Sequence, residues 1–290
     1  MFWQQLINGL TVGSTYSLIA VGYTLIFGVL GMINMAHGQI FIFGAITALL
    51  TMTYMGWPLW LALVVSVFVS SVLGWILELT AFKPLRKKDV PHLAPLISTI
   101  GFATILDDVM IKVFGGDSRA FPTEPFGGSV ALGPVQIRVV DVVILGVALV
   151  LMIVLHLWIG RTKLGKAIRA TSENIDTAEI LGIPTNRVIV LTVIIASGLG
   201  GIAGILLGLA YGALAPSMGL TLGFKGLAVL VLGGLGNVPG AMLGGLILGV
   251  VEVLSVAYGQ STYRDAVAFL MIMIIFFIRP QGLFGSQENA

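Results

Sequence analysis

Long apolar runs separated by short polar breaks dominate this chain. Apolar stretches occupy residues 6–30, 40–50, 59–81, 93–114, 139–159, 189–209, 226–236, 241–254 and 267–278. The longer ones are continuous over about twenty residues, the length an α-helix needs to cross hydrocarbon. A membrane β-barrel would instead alternate in short segments. The pattern predicts an all-α, polytopic transmembrane helical bundle with about eight or nine membrane segments, some short or broken. The breaks are informative. Residues 31–39 (GMINMAHGQ) interrupt the first hydrophobic region, and residues 51–58 form a turn beside Trp57 and Trp60, residue types that anchor at membrane interfaces. Residues 115–134 form a Gly/Pro-rich loop, residues 211–223 are ambiguous, and Asn237-Val-Pro-Gly240 joins two short apolar pieces.

One polar island stands out, residues 160–188 (GRTKLGKAIRATSENIDTAEILGIPTNRV). Ser172 is an expected N-cap, with Glu173 and Asp176 in the first turn, where the helix dipole favours anions. Ala178 and Glu179 continue the helix, Gly182 sits where a left-handed cap belongs, and Pro184 stops propagation. This reads as one helix of two to three turns outside the bilayer. Helices this short are marginal in water and gain stability by docking, either on the chain's own helix ends or on a soluble partner.

Composition narrows the class. The 290 residues are 57% hydrophobic and only 10% charged, with a mean hydropathy of +1.05, and no room is left for a separate soluble domain. Residues 1–290 therefore form a single transmembrane domain with residues 160–188 as its cytoplasmic segment. Cysteine is absent, which removes disulfides, thiolate metal sites and thiol catalysis. His37, His92 and His156 have no metal-ligand spacing, so neither a metal nor another cofactor is expected. The N-terminus lacks a basic start and a small-residue cleavage site, so the first span is expected to be retained.

Charge asymmetry sets the orientation. With the 83–88 cluster (KPLRKK), the island and Arg279 on one side, ten of the 15 Lys and Arg residues fall together. The positive-inside rule makes that side cytoplasmic. The loop 115–134 is then external, and alternation puts the N-terminus external too.

Polar groups inside hydrocarbon are costly and face the bundle interior or a wet path. Asn34, His37 and Gln39 in the first break, Asn237 in its Pro-Gly turn, and the isolated carboxylate Glu252 are the candidate pathway residues. Plainer readings stand beside these: an interfacial turn for the first three, turn geometry for Asn237, and a helix–helix role for Glu252. Glu78 reads as an end charge near Lys83. Asp107 and Asp108 point to divergent faces of one span, so at most one faces inward, and Arg264 with Asp265 reads as an external interface pair. No acid–base dyad emerges, so no catalytic residue is assigned. Gly-interrupted segments 27–34 and 232–237 also echo one another, as repeats lining a transport path do, although Gly and Leu are common enough for chance matches.

Several motifs together resemble a known family. Thr177-Ala-Glu179 with Gly182 is a degenerate form of the coupling-loop signature of ATP-binding-cassette importer permeases. Gly13–Ala20 (GSTYSLIA), Gly31–Gly38 (GMINMAHG), Leu181-Gly-Ile183, Leu232–Gly240 (LGGLGNVPG) and Pro280–Phe284 (PQGLF) resemble branched-chain amino acid permeases of the LivH type, in order along nearly the whole chain. The resemblance implies a non-enzymatic permease of the cytoplasmic (inner) membrane. It implies as partners two ABC ATPase subunits, a second permease of the LivM type and an extracytoplasmic substrate-binding protein, with membrane lipid around them and no nucleic acid. Ser172, Glu173, Asp176, Ala178, Glu179 and Gly182 would then contact the ATPase. The chain has no G-x-x-x-x-G-K-[ST] loop, so ATP hydrolysis is expected on separate subunits. Urea and short-amide permeases share the pattern and remain open as substrate classes. An autonomous secondary transporter would leave the island without a task.

Overall fold

A computed structural model of the chain describes residues 1–86, 91, 93–123, 126–132, 135–259, 264–279 and 281–285. Lys87, Lys88 and His92, which the orientation and ligand arguments used, lie outside them. The helices are α1 (Phe2–Leu30), α2 (His37–Met55), α3 (Leu59–Leu77), α4 (Lys83–Arg86), α5 (Ala94–Phe114), α6 (Val139–Arg161), α7 (Lys163–Glu173), α8 (Ile175–Ile180), α9 (Thr185–Tyr211), α10 (Met218–Gly233), α11 (Val238–Tyr258) and α12 (Arg264–Ile278). Six are long and apolar enough to cross a membrane: α1, α2, α3 with its extension to Arg86, α6, α9 and α11. The apolar α10 is shorter. The bundle is nearly all-α, as expected.

Helix α1 is the central post, buried along most of its length. In hydrocarbon, helices gain little from hiding apolar surface, so close packing of small residues drives their association. Gly9, Gly13 and Ser17 form such a stripe on α1, facing Gly245 and Gly249 of α11. A Cβ on Gly13 would lie 2.8 Å from Leu246 Cα, and one on Gly9 would lie 2.7 Å from Val250 Cα. Ser17 Oγ lies 2.9 Å from the Gly13 carbonyl and 2.6 Å from the Met242 carbonyl across the seam. A second seam joins α3 to α2 and α9: Ser66 Oγ donates to Gly201 O at 3.1 Å, and Ser70 Oγ to Ile40 O at 3.4 Å.

Two helices begin inside the bundle. Gly31 (φ 62°) ends α1, and the chain then folds back so that α2 starts at His37, whose ring packs on Gly22 and Gly200. Gly22 lies eight residues, about 12 Å, before the end of α1. After α9 the chain turns through β4 (Ala213–Leu214) and descends to α10. The first turn of α10 meets the first turn of α2: a Cβ on Gly38 would sit 2.8 Å from Gly223 Cα. The segments expected at 226–236 and 241–254 are longer than the sequence suggested. Helix α10 starts eight residues earlier, and α11 is a full 21-residue span. Their glycines dilute the apolar pattern without breaking the helices, because neighbours pack directly on them.

The Gly/Pro loop carries short strands: β1 (Arg119–Ala120), which pairs with β4, and the hairpin of β2 (Ser129–Leu132) with β3 (Val135–Arg138). Gln4 and the backbone of Gln136 exchange two hydrogen bonds of 2.8 Å. The start of α1 therefore lies at the loop end of the bundle. The end of α1 shares a cavity with the polar island at the opposite end, the arrangement that alternation required.

Helix α3 does not stop at Ala81. It passes through a π-helical turn (Glu78–Phe82) into α4, and Arg86 pairs with Glu78. Glu78 is fully buried, so it is an internal partner of Arg86 and not an end charge near Lys83. The glycine seams lead to an expected outcome. Gly249→Leu should lower the detergent melting temperature by more than 5 °C, since overpacking costs about 1–3 kcal/mol or more. Gly146→Leu, in open space, should not; fluorescence-detected size-exclusion chromatography after heating compares the two.

Candidate functional site: a central polar cluster and a cytoplasmic docking segment

The first turn of α2 gathers three of the expected pathway residues. Asn34, His37 and Gln39 are all buried, with at most 3% exposure. Asn34 Oδ1 accepts from Ala36 N at 3.1 Å and shapes the turn, and Met35 N donates to Thr99 Oγ1 on α5 at 3.1 Å. His37 lies edge-on to Tyr23, with ring centroids 4.7 Å apart. Gln39 Nε2 donates to Asp107 Oδ1 on α5 at 3.3 Å. Four atoms of this group lack a hydrogen-bond partner: Asn34 Nδ2, both His37 ring nitrogens and Gln39 Oε1. Unpaired polar atoms are expensive in a dry interior, and these three side chains are enclosed in the bundle and not at its surface. Asp107 faces inward and Asp108 is exposed, in line with their divergent faces.

Glu252 is somewhere else and has company. Its Oε1 accepts from Lys225 Nζ and from Tyr16 OH, each at 3.1 Å, and is paired with Arg264. Lys225 also meets Asp265 at 2.7 Å, and Tyr211 OH lies 2.8 Å from Tyr16 OH and 2.7 Å from Arg264 Nη2. Two cations and two carboxylates thus balance in a cluster that ties α1, α9, α10, α11 and α12 together. Arg264 and Asp265 are therefore not a pair with each other; each closes onto a different buried partner. Sequence distance hid this cluster, because Lys225 is 27 residues from Glu252 and Tyr16 is 236 away. Glu252 links α11 to α1, α10 and α12 through these contacts.

Near the loop end, Arg138 caps the approach to α6 and holds Asp141 at 2.7 and 2.9 Å. That hydrogen-bonded carboxylate keeps the Arg138 guanidinium above its ordinary pKa. Asn237 lies at the island end. Its Oδ1 caps α11 by accepting from Gly240 N at 2.9 Å, and its Nδ2 donates to Phe284 O at 2.7 Å. It pins the C-terminal turn, with Leu283 N on Leu232 O at 2.9 Å. Among the described residues no group of three His, Asp or Glu is placed to share a metal ion.

The island folds as two helices where one was expected. Helix α7 is capped by Thr162, whose side chain accepts from Gly165 N at 3.0 Å, and it carries Ser172 and Glu173 in its last turn. Ser172 is therefore not an N-cap; its hydroxyl donates back to Arg169 O at 2.7 Å. Asn174, in extended conformation, breaks the run and caps α8 by accepting from Thr177 N at 2.8 Å. Asn and Ser are comparable caps; α7 running through Ser172 and the extended backbone at Asn174 decide between them. Asp176 is in the first turn of α8, Ala178 is buried, and Glu179 accepts from the Thr185 hydroxyl. Gly182 has φ 82°, the left-handed cap expected, with Ile183 N on Ala178 O at 3.0 Å. Beside it Ile180 and Leu181 are 85% and 74% exposed. Between the island, the end of α1 and the α10–α11 turn lies a cavity of about 1200 Å³, reached by His156, Arg169, Ser172, Glu173 and Asn237.

Comparison with known proteins places this architecture. Residues 5–276 match the family described as branched-chain amino acid transport system, permease component. The chain belongs to this family. Its members include the high-affinity branched-chain amino acid transport system permease protein BraD of Pseudomonas aeruginosa, 38% identical over 99% of this chain and 97% of BraD. LivH of Escherichia coli K12, of the same description, is 39% identical over 99% of this chain and 96% of LivH. LivM of Salmonella typhimurium is 26% identical over 94% of this chain and 68% of its own length. The solved PsaBC from Streptococcus pneumoniae in complex with Fab superposes with a TM-score of 0.50 at 16% identity, covering 97% of this chain and 93% of that one; this likeness concerns the fold. The family match runs from α1 into α12 and takes in both the start of α2 and the polar island.

The charge cluster gives a contrast in stability. Glu252→Gln leaves Lys225 and Arg264 without their shared carboxylate and should cost about 3–5 kcal/mol. Asp265→Asn, at a site 54% exposed, should cost about 1 kcal/mol or less. Thermal melting of the two variants in detergent should rank them in that order.

Proposed function

We propose that this chain is a permease subunit of an ATP-driven importer for branched-chain or related amino acids, a multi-pass protein of the cytoplasmic membrane. The similarity to LivH and BraD along practically the whole chain carries this reading. The chain forms half of the conduit. A second, LivM-type permease forms the other half, two ABC ATPases bind from the cytoplasm, and an extracytoplasmic binding protein delivers the substrate. Both LivH and LivM of Salmonella typhimurium are similar to this chain, which supports a conduit built from two related permeases.

The coupling role belongs to the segment 172–182, within the wider 160–188 island. Its support is the apolar tip Ile180–Leu181, held clear of the bundle by the Gly182 turn and braced where Glu179 meets Thr185. Exposed apolar side chains outside the membrane are what a soluble partner covers. Ser172, Glu173 and Asp176 flank that tip with hydroxyl and carboxylate groups, and Ala178 anchors α8 beneath it. Movement of an ATPase gripping this tip reaches α9 through Thr185 and α6 through α7. Alternating access then follows at the point where α2 and α10 begin inside the bundle.

Gly182→Leu forces a branched residue into the left-handed region at a cost of about 1–2 kcal/mol and misplaces the tip. It should reduce ATPase co-purification and uptake at least tenfold while membrane insertion persists. Ile180→Asp should do the same without altering the backbone. Undiminished ATPase capture by both variants would remove the coupling role. Uptake by this chain alone, in liposomes lacking ATPase subunits, would contradict the importer reading.

A further inference from the structure

We propose that Asp107 and Gln39 form the subsite that holds the α-ammonium group of the transported amino acid; this rests on the amino-acid reading above. Gln39 lies 16 residues, about 24 Å, from the Met55 end of α2, deep in the span. Asp107 meets it there from α5. The carboxylate fixes the amide orientation: Nε2 must face Asp107 Oδ1 at 3.3 Å, since a carboxylate only accepts. Gln39 Oε1 is thereby left as a second acceptor, in a side chain 97% buried (3% exposed), with no donor reaching it. Gly219 of α10 packs directly against this amide, where a Cβ would lie 2.7 Å from Gln39 Cδ.

The subsite thus has acceptors and no cation. Among the described residues every ion pair uses another carboxylate, and none involves Asp107. The contrast with Glu252, which is supplied with two cations, is what points to an external cation. A carboxylate kept unpaired in hydrocarbon calls for a positive partner, and an ammonium with three donors fits one carboxylate and one amide oxygen. Access is provided too. Asp107 is only partly buried, and the adjoining exposed face of α5 carries Gly101, Thr104 and Asp108 at i, i+3 and i+7. Asp108 stands between exposed Ile105 and Val109, and a carboxylate at that depth belongs against the conduit closed by the second permease and not against lipid. A neutral urea or amide would have no use for the charge.

The test uses the complete transporter, with both permeases, ATPases and binding protein, reconstituted in proteoliposomes with leucine as probe. Asp107→Asn keeps an amide pair with Gln39 but removes the charge, and should lower leucine uptake at least tenfold. Co-purification of the second permease and of the ATPases should be unchanged. Gln39→Glu combined with Asp107→Asn returns one carboxylate to the same place from the opposite helix, and should restore at least half of wild-type uptake. Several outcomes would overturn the subsite: undiminished uptake by Asp107→Asn, a double variant as inactive as the single one in an intact complex, or loss of the second permease from the single variant, which would make the cation that partner's. If the wild-type complex takes up urea or acetamide and no amino acid, the substrate reading falls and the subsite with it. If it takes up leucine and Asp107→Asn does so equally, only the subsite falls.

Discussion

Hydrocarbon offers no hydrogen bonds, so each polar group that folds into this bundle must find its partner within the protein. Most of the structure follows from how that demand is met. Serine hydroxyls of α1 and α3 donate to carbonyls of neighbouring helices, which requires backbones close enough to be reached, and glycine on the facing helix permits the approach. The same demand gathers Lys225, Glu252, Arg264 and Asp265, together with two tyrosines, into one cluster. Removing α10 would leave Asp265 without its cation, and removing α11 would leave Arg264 without its carboxylate. The cluster therefore makes the outer half of the bundle, from α9 to α12, behave as a unit packed on α1.

Against this background of pairing, the start of α2 stands out: among the described residues it holds four of the eight buried side-chain atoms that lack a hydrogen-bond partner. No partner reaches its unpaired atoms, and Gly219 packs so closely on Gln39 that a Cβ there would clash with Oε1. They are left open where two helices begin inside the membrane. Interrupted helices also expose backbone amides and a change in chain direction at that depth. The permease thus gathers four charged side chains in one place and an unpaired imidazole and amide oxygen in another, and the two places are joined by α10.

Much of the architecture was legible because span-length apolar runs have few alternatives. Helices α1, α3, α6 and α9 are where the hydrophobic pattern puts them. Helices α10 and α11 were foreshortened in the pattern because Gly223, Gly226, Gly244 and Gly245 look like breaks to a reading that cannot see their neighbours. The site was readable only in part. Gly182 announces itself, since few residues tolerate that backbone and Pro184 follows. Ser172 misled, because Asn174 is an equally good cap two residues on and only the fold of α7, set by Thr162, decides between them. Asn34, His37 and Gln39 were visible as polar interruptions, but their partner Asp107 sits 68 residues beyond Gln39, with no local signal to join them. Glu252 looked isolated for the same reason.

The π-helical turn at Glu78–Phe82 has a consequence for how this chain can change length. A π-turn accommodates one extra residue in a helix, so Glu78 and Arg86, eight apart, face each other as residues seven apart would in a regular α-helix. At about 100° per residue, seven steps return to within roughly 20° of the starting face. Deleting one residue here would relax the turn into ordinary helix and keep the ion pair. The same deletion in α1 would swing Gly9 away from α11 and unseat the seam. Natural variation in helix length should therefore be absorbed near residue 80, on the approach to the cytoplasmic surface, while the central helix stays fixed in length.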